Sequence, residues 1–345
     1  MKLAHVIAVL VLMLTACAGA KDSGEGQSPS KPRESRGTSS PLSSGKSSPP
    51  TLKTDATTAQ VLAAVKAATN LQTLPPAAMQ ALKNAAYSGP KEKSPEFADA
   101  RNGFNCRPKP QSPPSTRFGA CAYGDQSPNA KLMVIFGDSH ATMWAAALEG
   151  VAAKNGYRLR VFSLGGCPAP DLDYAKQDGG VYPECQEFRA GAYSTIQELR
   201  PNLVVATSVQ GRLADGKPPR GDQLRDGWVS TLKKFAGPDT RTAIIGALPF
   251  WPDSDSRCLA AHVDNVQRCS APLADAEQRT AEEAAAAKIV GSLFIPTSPW
   301  ICAEQCEPVI DEQIVFQDPS HLTQTYATYL TGALDEALKP VLAAS

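Results

Sequence analysis

The sequence has little that would build a metal centre, attract a charged partner or cross a membrane. Its 345 residues include only four histidines and no paired C-x-x-C motifs, so a metal site is a weak alternative. The 34 basic and 34 acidic residues leave no net charge, which argues against nucleic acid or an anionic membrane surface as a partner. No apolar run approaches the roughly 20 residues of a spanning helix. We therefore expect neither a metal nor another cofactor.

The N-terminus predicts export. Lys2 precedes an apolar run over residues 6–14, which is too short to span a bilayer and is typical of a secretory signal. The run ends in Leu14-Thr15-Ala16-Cys17, which resembles a bacterial lipobox. Residues 1–16 are then a lipoprotein signal peptide, and a lipidated Cys17 is the mature N-terminus and the membrane anchor. The alternative is a plain signal peptide followed by an incidental cysteine.

The segment 17–55 is predicted to be a disordered tether. Between Lys21 and Pro50, 19 of 30 residues are Ser, Pro or Gly. Such a stretch cannot bury enough apolar area to offset the entropy of ordering it. It would hold a folded domain away from the membrane, although a leader without purpose is also compatible with this composition.

The cysteines are predicted to form disulfides. Eight of the nine remain if Cys17 is lipidated, an even number in an oxidising compartment. Sequence alone permits many connectivities, but the grouping along the chain suggests pairing between neighbours. The suggested pairs are Cys106–Cys121, Cys167–Cys185, Cys258–Cys269 and Cys302–Cys306.

The remaining chain is patterned as a helical extension, 56–103, and an α/β domain, 104–345. Helical spacing over 56–87, interrupted at Pro75-Pro76, predicts a helix pair. From residue 131, apolar strands alternate with helices, which predicts a parallel sheet covered on both faces. The predicted strands are Leu132–Phe136, Arg158–Leu164, Leu203–Thr207, Thr242–Leu248 and Ser292–Pro296. The predicted helices are Ala141–Asn155, Gln186–Leu199, Gln223–Phe235, Ala274–Val290 and Leu322–Leu338.

A serine and an acid–base pair stand at opposite ends of this domain. Ser139 follows the first strand in a Gly-Asp-Ser-His turn that opens a helix, where the ligand site of such sheets is expected. Asp318 and His321 are three residues apart, so both can project from one helical turn, with Asp318 as N-cap and Pro319 at the first helical position. A serine nucleophile needs such a base and such an orienting group. Asp138 is expected to fix the turn, and His140 to be structural or to face the substrate.

These motifs resemble the SGNH hydrolase superfamily, and most closely the SGNH domain fused to membrane acyltransferases of acyltransferase family 3. The similar stretches are 121–125, 137–144, the Gly165-Gly166-Cys167-Pro168 segment and 318–323. The resemblance implies a three-layer flavodoxin-like, doubly wound fold. It also implies acyl transfer or ester hydrolysis on glycans, with Ser139 as nucleophile, His321 as base and Asp318 as its orienting acid.

The resemblance implies an oxyanion hole formed by the N–H of Ser139 and a glycine N–H, from Gly165 or Gly166. The asparagine that often supplies a third donor is not evident, and Ser208, Gln210 or Arg212 could replace it. The sequence predicts a lipid-anchored extracytoplasmic serine esterase or O-acyltransferase that acts on acetyl esters of envelope glycans. A separate membrane acyltransferase is a candidate partner. The alternative function is a non-catalytic glycan-binding lipoprotein that retains the fold.

Overall fold

A computed structural model describes residues 53–88, 122–176, 178–251 and 256–342. Its strands are β1 (Ala122–Gly124), β2 (Lys131–Gly137), β3 (Tyr157–Ser163), β4 (Leu203–Thr207), β5 (Arg241–Ile245), β6 (Ala271–Pro272), β7 (Leu293–Ile295), β8 (Gln305–Cys306), β9 (Val309–Ile310) and β10 (Gln313–Ile314). Its helices are α1 (Thr58–Ala68), α2 (Pro76–Ser88), α3 (Ser139–Lys154), α4 (Pro183–Leu199), α5 (Gly221–Phe235), α6 (Ser256–Ala261), α7 (Leu273–Val290), α8 (Gln324–Tyr329) and α9 (Thr331–Leu342).

The central sheet has six strands in the order β1-β3-β2-β4-β5-β7. Five of them are parallel, and β1 pairs antiparallel with β3 at one edge. In chain order the parallel strands lie second, first, third, fourth and fifth, which is the flavodoxin-like arrangement. The predicted fold class is confirmed. Because the strand order reverses between β2 and β4, the crevice beyond their carboxyl ends is where this topology places a ligand.

Alternation along β2 divides the interior into two apolar layers. Met133 and Ile135 face one layer, which α1, α3, α8 and α9 cover. Val134 and Phe136 face the other, which α4, α5 and α7 cover. Since all four side chains are fully buried, the sheet is sandwiched between helices and only its strand ends can be open to a substrate.

The helix pair ahead of the main domain packs directly against it. A capping box between Thr57 and Gln60 begins α1. Val61 and Val65 of α1 lie in the same apolar layer as α3 and α9. The Ala56 N–H donates to the Tyr329 carbonyl at 2.8 Å. The helix α2 packs instead in a smaller apolar cluster beside the loop 258–269, whose ends a disulfide joins, and the β9–β10 hairpin.

The part of the chain that the structure describes contains three disulfides: Cys167–Cys185, Cys258–Cys269 and Cys302–Cys306. The suggested Cys106–Cys121 pair, the signal peptide 1–16, Cys17 and nearly all of the tether 17–55 lie outside the described residues. The boundaries proposed at residues 16, 55 and 103 stay predictions. Within the described ranges, no helix has the length and apolar character to cross a bilayer.

The prediction of one final helix over Leu322–Leu338 is wrong. The chain forms two helices there, α8 and α9, which meet at Leu330. The first begins two residues later than predicted because Thr323 is its N-cap and accepts the Tyr326 N–H. His321 therefore lies in a loop rather than on a helix.

The contact between α9 and the segment preceding α1 predicts the effect of Gly332→Ala. A Cβ at Gly332 would lie 2.6 Å from the Ala56 carbonyl oxygen, a backbone atom that cannot move cheaply. Alanine favours a helix over glycine by about 1 kcal/mol, but overpacking of this kind costs about 1–3 kcal/mol. We expect urea unfolding to show a net loss of stability. Gly237→Ala is the matched control, since its Cβ would meet nothing closer than 3.5 Å. A G332A variant at least as stable as the parent would contradict the expectation.

Candidate active site

The serine turn is shaped by the close approach of β2 and β4. A Cβ on Gly137 would lie 2.1 Å from the Thr207 carbonyl oxygen, so only glycine fits where the two strands end. Asp138 follows as the N-cap of α3, with its side chain accepting the His140 N–H. Ser139 is then the first residue of α3, and it is 7% exposed. The turn places its hydroxyl at the carboxyl end of the sheet beside a helix N-terminus.

Asp318 and His321 lie on a tight loop, not on the helical turn that was predicted. Phe316 and Leu322 form an antiparallel bridge, and the Gln317 N–H donates to the His321 carbonyl at 3.0 Å. The expected N-cap role of Asp318 is therefore wrong. Its Oδ1 does accept the N–H groups of residues 320 and 321, as an N-cap would, but no helix follows because the chain closes into this loop.

The loop brings the His321 side chain onto Ser139. His321 Nε2 lies 2.7 Å from Ser139 Oγ, and His321 Nδ1 lies 2.8 Å from Asp318 Oδ1. The His321 side chain is 12% exposed. Residues that stand 182 positions apart in the chain thus form one Ser-His-Asp arrangement. With Asp318 ionised, Nδ1–H donates to the carboxylate and Nε2 is free to accept the serine proton.

The ionisation of Asp318 follows from its hydrogen bonds. Burial alone would raise the pKa of this carboxyl, but the hydrogen bond and the charge of His321, with two backbone N–H groups, lower it to about 2. Asp318 is therefore an anion throughout the neutral range. A permanent anion at Nδ1 keeps the imidazole in the tautomer that general-base catalysis requires.

Asp138 has a different environment and a different role. Its side chain is fully buried, and Oδ1 accepts the His140 N–H at 2.8 Å. Its Oδ2 accepts the Val209 N–H at 2.7 Å and the Ser208 hydroxyl at 3.2 Å. Burial raises the pKa of Asp138 to about 6 despite these donors. The carboxylate ties the serine turn to the loop after β4, in accordance with the predicted turn-fixing role.

The expected oxyanion donors differ in whether they already have a hydrogen-bond partner. Within the described ranges, no acceptor engages the backbone N–H of Ser139, Gly165 or Gly166. By contrast, the Ser208 hydroxyl is committed, because it contacts Asp138 and accepts the Ala169 N–H at 3.0 Å. Gln210 lines a small cavity of about 20 Å³ beside Ser208. Arg212 points elsewhere and donates to the Gly216 carbonyl.

Further contacts hold the His321 loop in place. The backbone N–H of Trp251 donates to the Pro319 carbonyl at 2.8 Å, and the Trp251 ring packs on Phe316. The Leu322 N–H approaches Met143 Sδ on α3 at 3.1 Å. His140 is buried with its ring edge-on to His321, at 5.2 Å between centroids. These groups come from three separate elements, so only the folded chain reveals that they converge.

One cavity lies at the opposite edge of the sheet from the serine. Its volume is about 670 Å³, and its lining includes Asn202, Arg241 and Gly291. These residues flank the amino ends of β4, β5 and β7, at the opposite edge of the sheet from Ser139. Among the described residues, no cluster of three or more His, Cys, Asp or Glu side chains could hold a metal ion.

The fold and the site define an α/β protein with a Ser-His-Asp arrangement at the switch point of its sheet. The sequence matches the family described as "SGNH domain (fused to AT3 domains)" over residues 105–336. The chain belongs to this family. The predicted family and its enzyme class, an SGNH-type hydrolase or acyltransferase of carboxylic esters, are confirmed at that level.

A solved structure shares the fold, and others are similar to parts of the chain. The periplasmic domain of a lipopolysaccharide acetyltransferase from Salmonella ser. Paratyphi A aligns with a TM-score of 0.53 at 17% identity, covering 71% of this chain and 95% of that one. Est24, a carbohydrate acetylesterase from Sinorhizobium meliloti, aligns with a TM-score of 0.40 at 13% identity, covering 61% and 99%. No curated protein matches the sequence.

The buried Asp138 predicts a pH-dependent difference in stability. The folded chain binds the Asp138 proton more tightly than the unfolded chain, whose pKa is near the ordinary 3.8. Stability from this group is therefore greatest at low pH and falls as the pH rises from about 4 to about 6. Asp138→Asn removes that titration. The unfolding free energy of D138N relative to the parent should rise by up to about 3 kcal/mol between pH 4 and pH 7.

Urea unfolding at several pH values measures this difference. Groups that titrate in both proteins, Asp318 among them, cancel in the comparison. The hydrogen bonds that the asparagine disturbs add a constant offset, which does not affect the slope. A difference that stays constant from pH 4 to pH 7 would show that Asp138 does not titrate as stated.

Proposed function

We propose that the chain is an extracytoplasmic, lipid-anchored serine esterase or O-acyltransferase that acts on acyl esters, chiefly acetyl esters, of cell-envelope glycans. The observation that carries the proposal is the 2.7 Å contact between His321 Nε2 and Ser139 Oγ, with Asp318 against Nδ1. A nucleophile, a base and an orienting acid within hydrogen-bond reach are what acyl transfer at serine requires.

In the proposed reaction, Ser139 Oγ attacks the acyl carbonyl carbon while His321 Nε2 takes the hydroxyl proton. Asp318 stabilises the imidazolium that forms. The backbone N–H groups of Ser139 and Gly166 receive the negative charge that develops on the carbonyl oxygen. The C–O bond to the leaving alcohol then breaks, and that alcohol takes the proton from His321. Water or a glycan hydroxyl attacks the acyl-enzyme in the same manner and regenerates Ser139.

The substrate and location are supported by several indications. The family is one whose members are fused to AT3 domains, and a neighbour in fold is the periplasmic domain of a lipopolysaccharide acetyltransferase. The lipobox-like segment ending at Cys17 and the Ser/Pro/Gly-rich tether favour a lipoprotein on the outer side of a membrane. Three disulfides fit an oxidising compartment.

A non-catalytic glycan-binding lipoprotein is the second candidate. It is favoured by the commitment of the Ser208 hydroxyl to Asp138, which leaves the oxyanion site without that third donor. Loss of one donor lowers rates by about 10²–10³. A reduced oxyanion hole weakens an enzyme of this kind, but a binding protein does not need the intact Ser-His-Asp arrangement found here. The geometry therefore favours catalysis.

Substitution of the nucleophile tests the catalytic proposal. Ser139→Ala should lower the hydrolysis of p-nitrophenyl acetate by about 10³-fold or more, because no acyl-enzyme can form. Ser194→Ala is the matched control, since among the described residues its hydroxyl bonds to Glu198 alone, on the exposed face of α4. Equal turnover by S139A and the parent would refute the nucleophile assignment and leave the binding function.

The choice between water and a sugar as acceptor needs a separate experiment. We propose that a membrane acyltransferase supplies acyl groups to Ser139, in keeping with the AT3 fusions of the family. Acetylated envelope glycan should then appear only in membranes that contain both proteins, with S139A in place of the parent abolishing it. Loss of acetyl groups from a preacetylated glycan, caused by this chain alone, would identify a hydrolase instead.

A further inference from the structure

One side chain outside the Ser-His-Asp arrangement contacts the expected oxyanion site. Tyr182 precedes α4, and its hydroxyl donates to the Gly165 carbonyl at 3.1 Å. Gly165 and Gly166 are the central residues of a turn that follows β3, which the Cys167 N–H closes by donating to the Leu164 carbonyl at 3.0 Å. The hydroxyl therefore contacts the middle peptide of that turn.

The orientation of this peptide decides where one donor points. In a trans peptide the C=O of one residue and the N–H of the next point in opposite directions. Tyr182 holds the Gly165 carbonyl and so directs the Gly166 N–H away from itself. Type I and type II turns differ by a flip of this central peptide, and a positive φ at the third residue selects type II. Gly166 has φ of +74°, which corresponds to type II. A flip to type I would reverse the Gly166 N–H.

We propose that Tyr182 is a positioning residue that locks this turn in the orientation in which the Gly166 N–H serves the oxyanion hole. The inference rests on the proposed function of Ser139. It takes Gly166 rather than Gly165 as the second donor, because the Gly166 N–H belongs to the peptide whose carbonyl Tyr182 holds. Within the described ranges, the Gly166 N–H has no protein acceptor, so it is available to the developing negative charge.

A disulfide joins the turn at Gly165 to the segment that carries Tyr182. Cys167 directly follows the turn, and Cys185 lies three residues after Tyr182. On the Tyr182 side, Lys176 pairs with Glu184 at 3.0 Å, and its ammonium lies 5.9 Å from the Tyr182 ring centroid. The ion pair is exposed and contributes little. The covalent link, together with the packing of Tyr182 and Leu164 against the apolar layer of Phe136, therefore keeps the hydroxyl opposite the Gly165 carbonyl.

Tyr182→Phe tests the role because it removes only the hydroxyl. We expect kcat for p-nitrophenyl acetate to fall about tenfold, part of the loss caused by removing an oxyanion donor outright. KM should change less than twofold, because the donor acts on the transition state. Phenylboronic acid, whose serine adduct is tetrahedral, should bind more weakly by the same factor as the fall in kcat. Tyr193→Phe on α4 is the matched control, since among the described residues the hydroxyl of Tyr193 forms its hydrogen bond with Thr231.

The disulfide provides a second, independent variant. Cys167→Ser with Cys185→Ser should lower kcat as Tyr182→Phe does. The variant that carries all three substitutions should have a kcat no lower than the lower of those two variants, because both changes remove the same restraint on the turn. Cys258→Ser with Cys269→Ser removes a disulfide from a separate apolar cluster and should leave kcat unchanged. Circular dichroism verifies folding of each variant.

The outcomes separate this inference from the proposed function. An inactive S139A together with Y182F at parental kcat and parental boronate affinity would overturn the role of Tyr182 alone. A Y182F that loses stability but keeps kcat would identify a merely structural contact and would also overturn it. An S139A as active as the parent would instead overturn the proposed function and this inference with it.

Discussion

The Ser-His-Asp arrangement depends on the Asp138 carboxylate, which is buried between the serine turn and the loop after β4. It accepts N–H groups from both segments, His140 on one side and Val209 on the other. Parallel pairing of β2 with β4 brings these loops to one edge of the sheet, but pairing alone does not set the direction of the loops. The carboxylate does so by satisfying donors that would otherwise be buried without partners. The direction of Ser139, and hence its distance to His321, follows from that link.

The two acidic residues near the serine show how environment separates roles. Burial would raise the pKa of Asp318, but the hydrogen bond and charge of His321 and two backbone N–H groups lower it to about 2. Asp138 receives neutral donors in a fully buried place, and its pKa is raised to about 6. Since catalysis needs a stable anion at His321 Nδ1, only Asp318 is suited to orient the base. The more buried carboxyl serves the architecture.

Sequence patterns predicted the parts of this protein that depend on local order. The alternation of strands and helices follows from apolar periodicity, and Ser139 could be placed because the end of a strand is a local signal. The edge strand β1 escaped prediction because three residues carry no period. The pair Asp318 and His321 was identified for a reason that proved incorrect. Spacing by three residues suits a helical turn, but a tight loop held by side-chain hydrogen bonds gives the same proximity.

The contacts that could not be predicted join distant segments. Ser208 looked like a free hydroxyl donor in the sequence, yet its partner Asp138 lies 70 residues earlier in the chain. The Trp251 N–H that supports Pro319 belongs to the loop after β5 and has no motif of its own. Such pairs depend on the packing of the complete sheet, which one sequence does not specify residue by residue. The sequence therefore nominated the side chains of Ser139, Asp318 and His321, whereas most of the contacts that position them are seen only in the folded chain.

The difference between reacting groups and positioning groups also affects the expected catalytic rate. A triad supplies the proton transfers, but the stabilisation of charge on the carbonyl oxygen depends on donors fixed before the reaction. In the proposed reaction the donors are the backbone N–H groups of Ser139 and Gly166, and a turn such as that at Gly166 can flip unless another group restrains it. With Ser208 committed to Asp138, more of the charge stabilisation falls on the remaining backbone donors. The rigidity of the turn at Gly165 and Gly166 then matters more than it would in a site with a third donor. The disulfide at Cys167, directly beside that turn, can supply this rigidity without additional apolar packing.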